Sequence, residues 1–120
     1  MKKIATLYHN PRCSKSREAL ALLEERGVAL ELVEYLKEPP SLETLREIAE
    51  KLGDEARSMI RKKEAVFKER GLSDATPIEQ VLEVIAEEPI LLERPLLVTE
   101  EGAAVGRPMK NIIALIEGRS

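Results

Sequence analysis

The chain has 120 residues, 43% of them hydrophobic and 34% charged, with a formal net charge of -3. This length suits one domain with an ordinary core, and the mildly acidic balance argues against nucleic acid as a partner, because phosphate binding needs a basic face. No run approaches the roughly 18 apolar residues of a membrane span, and Met1-Lys2-Lys3-Ile4 leads into no signal-peptide pattern, so the expected location is the cytoplasm, away from any membrane.

Lys3 to Tyr8 reads as a strand in which Ile4, Thr6 and Tyr8 alternate with Ala5 and Leu7. His9-Asn10-Pro11-Arg12-Cys13 is a loop. A helix follows from about Ser14 to Arg26, with Ala19, Leu20, Leu22 and Leu23 on its apolar face and Gly27 in the left-handed position after it. Val28 to Tyr35 is a second strand, so the chain opens with a βαβ unit. Pro39-Pro40 stops that strand. Ser41 caps a helix whose buried face is Leu42, Leu45, Ile48, Ala49 and Leu52, ending at Gly53. A further helix is expected from about Asp54 to Lys63. Gly71-Leu72-Ser73-Asp74 is a loop. Thr76-Pro77-Ile78-Glu79 then carries an N-cap, a first-turn proline and a capping-box glutamate, and the helix they start ends at Pro89.

Strand character returns at Pro95 to Thr99. Glu100-Glu101-Gly102 is a turn, and Ala103 to Val105 is a hairpin partner. Gly106-Arg107-Pro108 opens a last helix, with Met109, Ile112, Ile113 and Ile116 on one face. The order β-α-β, helices, β-β-α predicts an α/β fold of the thioredoxin/glutaredoxin plan. It would be a mixed four-stranded sheet in one domain, 1–120, with a helical insertion at about 40–89.

The chain has one cysteine and one histidine. An internal disulfide is therefore impossible, and no motif-level metal site remains. Cys13 is expected at a helix N-terminus, where free N–H groups and the helix dipole favour an anion. Arg12, Lys15 and Arg17 add positive charge, and His9 is placed to donate a hydrogen bond. A thiol reacts as thiolate, so these features mark Cys13 as a nucleophile rather than core filler. Cys13-Ser14-Lys15-Ser16 is C-x-x-S. Ser16 cannot close a disulfide, so a redox cycle needs an external thiol. The phosphatase loop C-x5-R is excluded, because the sixth position after Cys13 is Ala19. Arg94 before Pro95, Arg107 at the last helix and Arg61 on the inserted helices are candidates to hold a tetrahedral oxyanion through paired N–H donors. The residues alone reach a thiol beside an anion site.

His9-Asn10-Pro11-Arg12-Cys13-Ser14-Lys15-Ser16-Arg17 resembles the His-Asn-Pro-x-Cys-x-x-Ser-Arg signature of the glutaredoxin-coupled arsenate reductase family (ArsC/Spx-like). Leu36-Lys37-Glu38-Pro39-Pro40, Ile60-Arg61-Lys62, Glu93-Arg94-Pro95-Leu96-Leu97-Val98 and Gly106-Arg107-Pro108 resemble its later motifs, in order. The resemblance implies a thioredoxin-like fold with no bound cofactor. It implies that Cys13 attacks arsenate, that glutathione reduces the arsenic adduct as co-substrate, and that glutaredoxin clears the mixed disulfide to release arsenite. It assigns the oxyanion to Arg61, Arg94 and Arg107, assigns tuning of the thiolate to His9, Ser16 and Arg17, and implies a cis Arg94–Pro95 bond. A general glutathione-dependent thiol reductase and a regulatory binding module like the Spx proteins stay open as alternatives.

Overall fold

Period-2 alternation divides the sheet residues between two cores. The computed structural model describes residues 4–117. Its sheet has the order β2-β1-β3-β4, built from β1 (Ile4–His9), β2 (Ala29–Glu34), β3 (Leu96–Val98) and β4 (Ala103–Val105). β1 runs parallel to β2 and antiparallel to β3, and β3 is antiparallel to β4, so the sheet is mixed as expected. Ala5, Leu7, Leu97 and Ala104 project to one face, where α1 (Ser14–Glu25) buries Ala19 and Leu23 and α5 (Lys110–Ile116) buries Ile112. Tyr8, Leu96 and Val105 project to the other face, against Leu45 and Ile48 of α2 (Leu42–Leu52) and Val81, Leu82 and Ile85 of α4 (Ile78–Glu87). Each fully buried leucine or isoleucine contributes roughly 1.5–3 kcal/mol. Helices on both faces leave the strand ends as the place for chemistry.

Local signals set several boundaries correctly. The Ser41 side chain accepts the Thr44 N–H and caps α2. Gly27 has φ 70°, as its place after α1 requires. Lys3, expected to open β1, lies outside the described residues.

Three expectations fail. The segment expected as a helix over 54–63 is a 3-10 helix, Gly53–Met59, followed by an extended stretch. There Ile60 bridges Leu92, the Arg61 N–H donates to the Leu91 carbonyl and the Glu93 N–H to the Met59 carbonyl. Met59 and Ile60 are buried in the core, and this tertiary pairing overrides the local helix propensity. A short helix, α3 (Ala65–Glu69), follows. Thr76 does not cap α4. Pro77 takes the cap position, and the Thr76 hydroxyl instead accepts the Ser73 N–H. Gly106-Arg107-Pro108 is not the start of the last helix, because α5 begins at Lys110. The Gly106 N–H donates to the Pro95 carbonyl at 2.8 Å, which holds this segment beside the start of β3.

Both Arg94–Pro95 and Arg107–Pro108 are cis; the first was expected and the second was not. Gly106 makes the approach of these two segments possible. A Cβ there would lie 2.7 Å from Pro95 Cγ and 2.7 Å from Ile112 Cδ1. Gly106→Ala should therefore cost about 1–3 kcal/mol, the range for overpacking a filled site. Chemical denaturation checks this, and an unchanged midpoint would show that the contact yields freely.

Candidate active site

The first turn of α1 presents free backbone N–H groups, and the chain delivers Cys13 to them as N-cap in extended conformation (φ -95°, ψ 122°). The loop before it is locked from inside. The Cys13 N–H donates to the Asn10 carbonyl at 3.0 Å. The Arg12 N–H donates to Asn10 Oδ1 at 3.0 Å. Ser16 is fully buried, and its hydroxyl accepts the Asn10 N–H at 3.0 Å and lies 2.8 Å from His9 Nδ1. Burial, the largest influence on His9, lowers its pKa below the ordinary value against the opposing charge of Glu34, so the ring is neutral at neutral pH. A neutral ring with its proton on Nε2 accepts from the Ser16 hydroxyl, completing the relay Asn10 N–H to Ser16 to His9. His9 thus acts on the loop through Ser16, rather than through the expected hydrogen bond to sulfur. Arg17 likewise holds the loop, with Nη1 donating to the Pro11 carbonyl at 2.9 Å.

The positive charge at the sulfur comes from far along the chain. Arg107 Nη2 lies 3.2 Å from Cys13 Sγ. Partial burial is the largest single influence on the thiol and pushes its pKa up. It is outweighed by the Ser16 backbone N–H, the Arg94 side chain, the Lys15 backbone N–H and the Arg107 charge, so the thiol lies below its ordinary value. The side chains of Arg12, Lys15 and Arg17, expected to supply this charge, are not among the groups that lower it. Lys15 is exposed and makes only a loose pair with Glu18 at 3.8 Å.

Arg94 and Arg107 converge on the sulfur, and Arg61 joins them through a carboxylate. Glu93 Oε1 accepts from Arg61 Nη1 at 2.7 Å and from the Arg94 N–H at 3.2 Å, and lies 3.2 Å from Arg107 Nε. Arg107 Nε also donates to the Arg94 carbonyl at 2.7 Å. Arg61 has a second partner in Glu64. In the sequence Glu93 is only part of a motif, and Tyr35 only the end of a strand. Glu93 had a legible signal, since it abuts an expected anion-binding arginine. Tyr35 had none, because its hydroxyl reaches the site through packing.

Nε and Nη1 of Arg94 are buried without hydrogen-bond partners, beside a thiol whose other neighbours are N–H groups and a guanidinium. Such an arrangement suits an acceptor-rich tetrahedral anion. Among the described residues, no cluster of His, Cys, Asp and Glu is placed to hold a metal, and no helix is long and apolar enough to cross a membrane.

The family model for the ArsC family matches residues 8–115, which span the thiol loop and all three arginines. The chain belongs to the ArsC family. It is 51% identical over 112 residues to a protein of Neisseria meningitidis serogroup A named arsenate reductase, covering 92% of this chain and 96% of that one. It is 42% identical over 118 residues to the uncharacterized protein YfgD of Escherichia coli K12, covering 97% and 99%. The solved structure of an arsenate reductase from Vibrio cholerae superposes with a TM-score of 0.85 at 39% identity, covering 94% of this chain and 98% of that one. The expected thioredoxin-like architecture is therefore that of ArsC proteins of known structure.

Two measurements address this ArsC site. The rate of Cys13 alkylation against pH should have its midpoint below the ordinary thiol value of about 8.5, and Arg107→Ala should move it upward. A wild-type midpoint at or above about 8.5 contradicts the electrostatic assignment. Ser16→Ala leaves the buried Asn10 N–H without its acceptor and should cost about 1–3 kcal/mol in urea denaturation. Equal stability would mean that the loop does not depend on the relay.

Proposed function

We propose that this ArsC-family chain is an arsenate reductase in which Cys13 is the nucleophile. The observation that carries the reading is the sulfur itself, favoured as thiolate by backbone N–H groups and faced by Arg107 at 3.2 Å. The thiolate attacks arsenic, an S–As bond forms, and one arsenate oxygen leaves as water after taking up protons. Arg94 and Arg107 hold the remaining oxygens, with Arg61 set behind them through Glu93. These guanidiniums offset the charge that accumulates as an anion attacks an anion.

Reduction of arsenic(V) to arsenic(III) takes two electrons, and two thiols supply them by becoming one disulfide. Overall, arsenic acid and two thiols give arsenous acid, a disulfide and water. This chain has a single sulfur nucleophile, and Ser16 occupies the C-x-x-S position where a resolving cysteine would stand. Glutathione is the external thiol in this reading, and glutaredoxin removes it from the mixed disulfide. Dependence on a reduced glutathione pool assigns the protein to the cytoplasm. Phosphate fits the same donors, but its phosphorus is not reduced by thiols, so it is a competing ligand rather than a substrate.

Arsenite release from arsenate in the presence of glutathione and glutaredoxin tests the proposal. Cys13→Ser should abolish turnover, and Arg94→Ala should lower kcat/KM about 10–100-fold, the value of a hydrogen bond to a charged group. Release that persists in Cys13→Ser, or a wild-type protein that releases none, would refute the assignment.

A further inference from the structure

Tyr35 Oη is a buried polar atom that the reaction as described does not use. Tyr35 follows β2 directly, one residue beyond the His9–Glu34 register pair, so its backbone stands at the sheet edge that carries the Cys13 loop. Its side chain is fully buried in the core cluster that also holds Tyr8, Leu96 and Val105. The hydroxyl makes no well-formed hydrogen bond, although it lies close enough to the Arg94 side chain to interact with it, and Arg94 Nε and Nη1 have no partner. Folded proteins rarely keep such groups unless a ligand or a functional constraint explains them.

The two side chains belong to one locus. The Arg94 charge acts on both the Tyr35 hydroxyl and the Cys13 sulfur, and the Arg61 charge also reaches Tyr35. Burial, the largest influence, holds the phenol above its ordinary pKa, so it keeps its proton at neutral pH and remains a donor. Three buried donors, two guanidinium nitrogens and a phenol, thus stand beside one nucleophile.

We propose that Tyr35 is an oxyanion-binding residue, whose hydroxyl donates alongside Arg94 to an oxygen of the tetrahedral anion that Cys13 attacks. This rests on the arsenate reading. The phenol keeps its proton throughout and contributes a hydrogen bond only. It selects for a ligand that presents an oxygen acceptor to the buried end of the site.

Tyr35→Phe removes one oxygen atom and tests the assignment. Without anion, its melting temperature should stay close to that of the wild type, since the hydroxyl makes no well-formed hydrogen bond within the protein. Its KM for arsenate should rise roughly 10-fold or more, and phosphate should protect Cys13 from alkylation only at a correspondingly higher concentration. The pH midpoint of Cys13 alkylation should be unchanged, because Tyr35 acts on the anion rather than on the sulfur. Wild-type KM and wild-type protection by phosphate in Tyr35→Phe, with the parent protein reducing arsenate normally, would overturn the Tyr35 assignment alone. A parent protein that neither reduces arsenate nor is protected by phosphate would overturn the arsenate reading, and this inference with it.

Discussion

The contact between Arg107 Nη2 and Cys13 Sγ, at 3.2 Å, joins residues 94 positions apart in the chain, and the site is organised around it. A guanidinium at this distance favours the thiolate over the thiol and leaves its other N–H groups in a fixed fork for an approaching anion. The contact is precise because Arg107 is itself anchored, at Nε, by the Arg94 carbonyl and the Glu93 carboxylate. Several cations near a partly buried point repel one another. Glu93 offsets that repulsion by serving Arg61, Arg107 and the Arg94 amide through a single oxygen.

The cysteine loop solves a second problem, which is to hold a reactive sulfur at a helix end without burying it. Cys13 is half-buried, while Ser16 and His9 are buried beneath the loop. A serine at the C-x-x-S position therefore has a structural use that a second cysteine lacks. Its hydroxyl satisfies the Asn10 N–H and bonds the neutral His9 ring. The sulfur is left without an internal redox partner, and the chemistry becomes dependent on external thiols.

Architecture brings the distant arginines to this loop. The cysteine follows β1, and β1 is central in the sheet, paired to both β2 and β3. Because β3 is antiparallel to β1, the residues that enter β3 stand beside the residues that leave β1. Arg94 is thereby delivered to Cys13. β4 returns antiparallel, so Arg107, just after its end, reaches the same edge. The bare glycine at 106 lets that returning segment close against Pro95.

The elements with one period and one cap were legible from residues alone. These include β1, α1 with Gly27 behind it, α2 under Ser41, and the β3–β4 hairpin, since each is decided by neighbours within a few positions. The nucleophile was legible for the same reason, because a thiol at a strand-to-helix turn is a local fact. The extended run at Ile60–Arg61 and the delayed start of α5 were not legible, since a bridge to Leu92 and a hydrogen bond to Pro95 decided them against local propensity. Of the cations expected around the sulfur, the distant pair and not the adjacent three supply its positive charge, on the same ground. Arg12, Lys15 and Arg17 are near Cys13 in sequence, but Arg94 and Arg107 are near it in space. The amino-acid order thus determined by itself what chemistry is present and which short-range elements carry it. Tertiary structure alone decided which charges, which carboxylate and which buried phenol meet at the sulfur, because electrostatic and hydrogen-bond energies depend on distances that only the packed sheet and helices set.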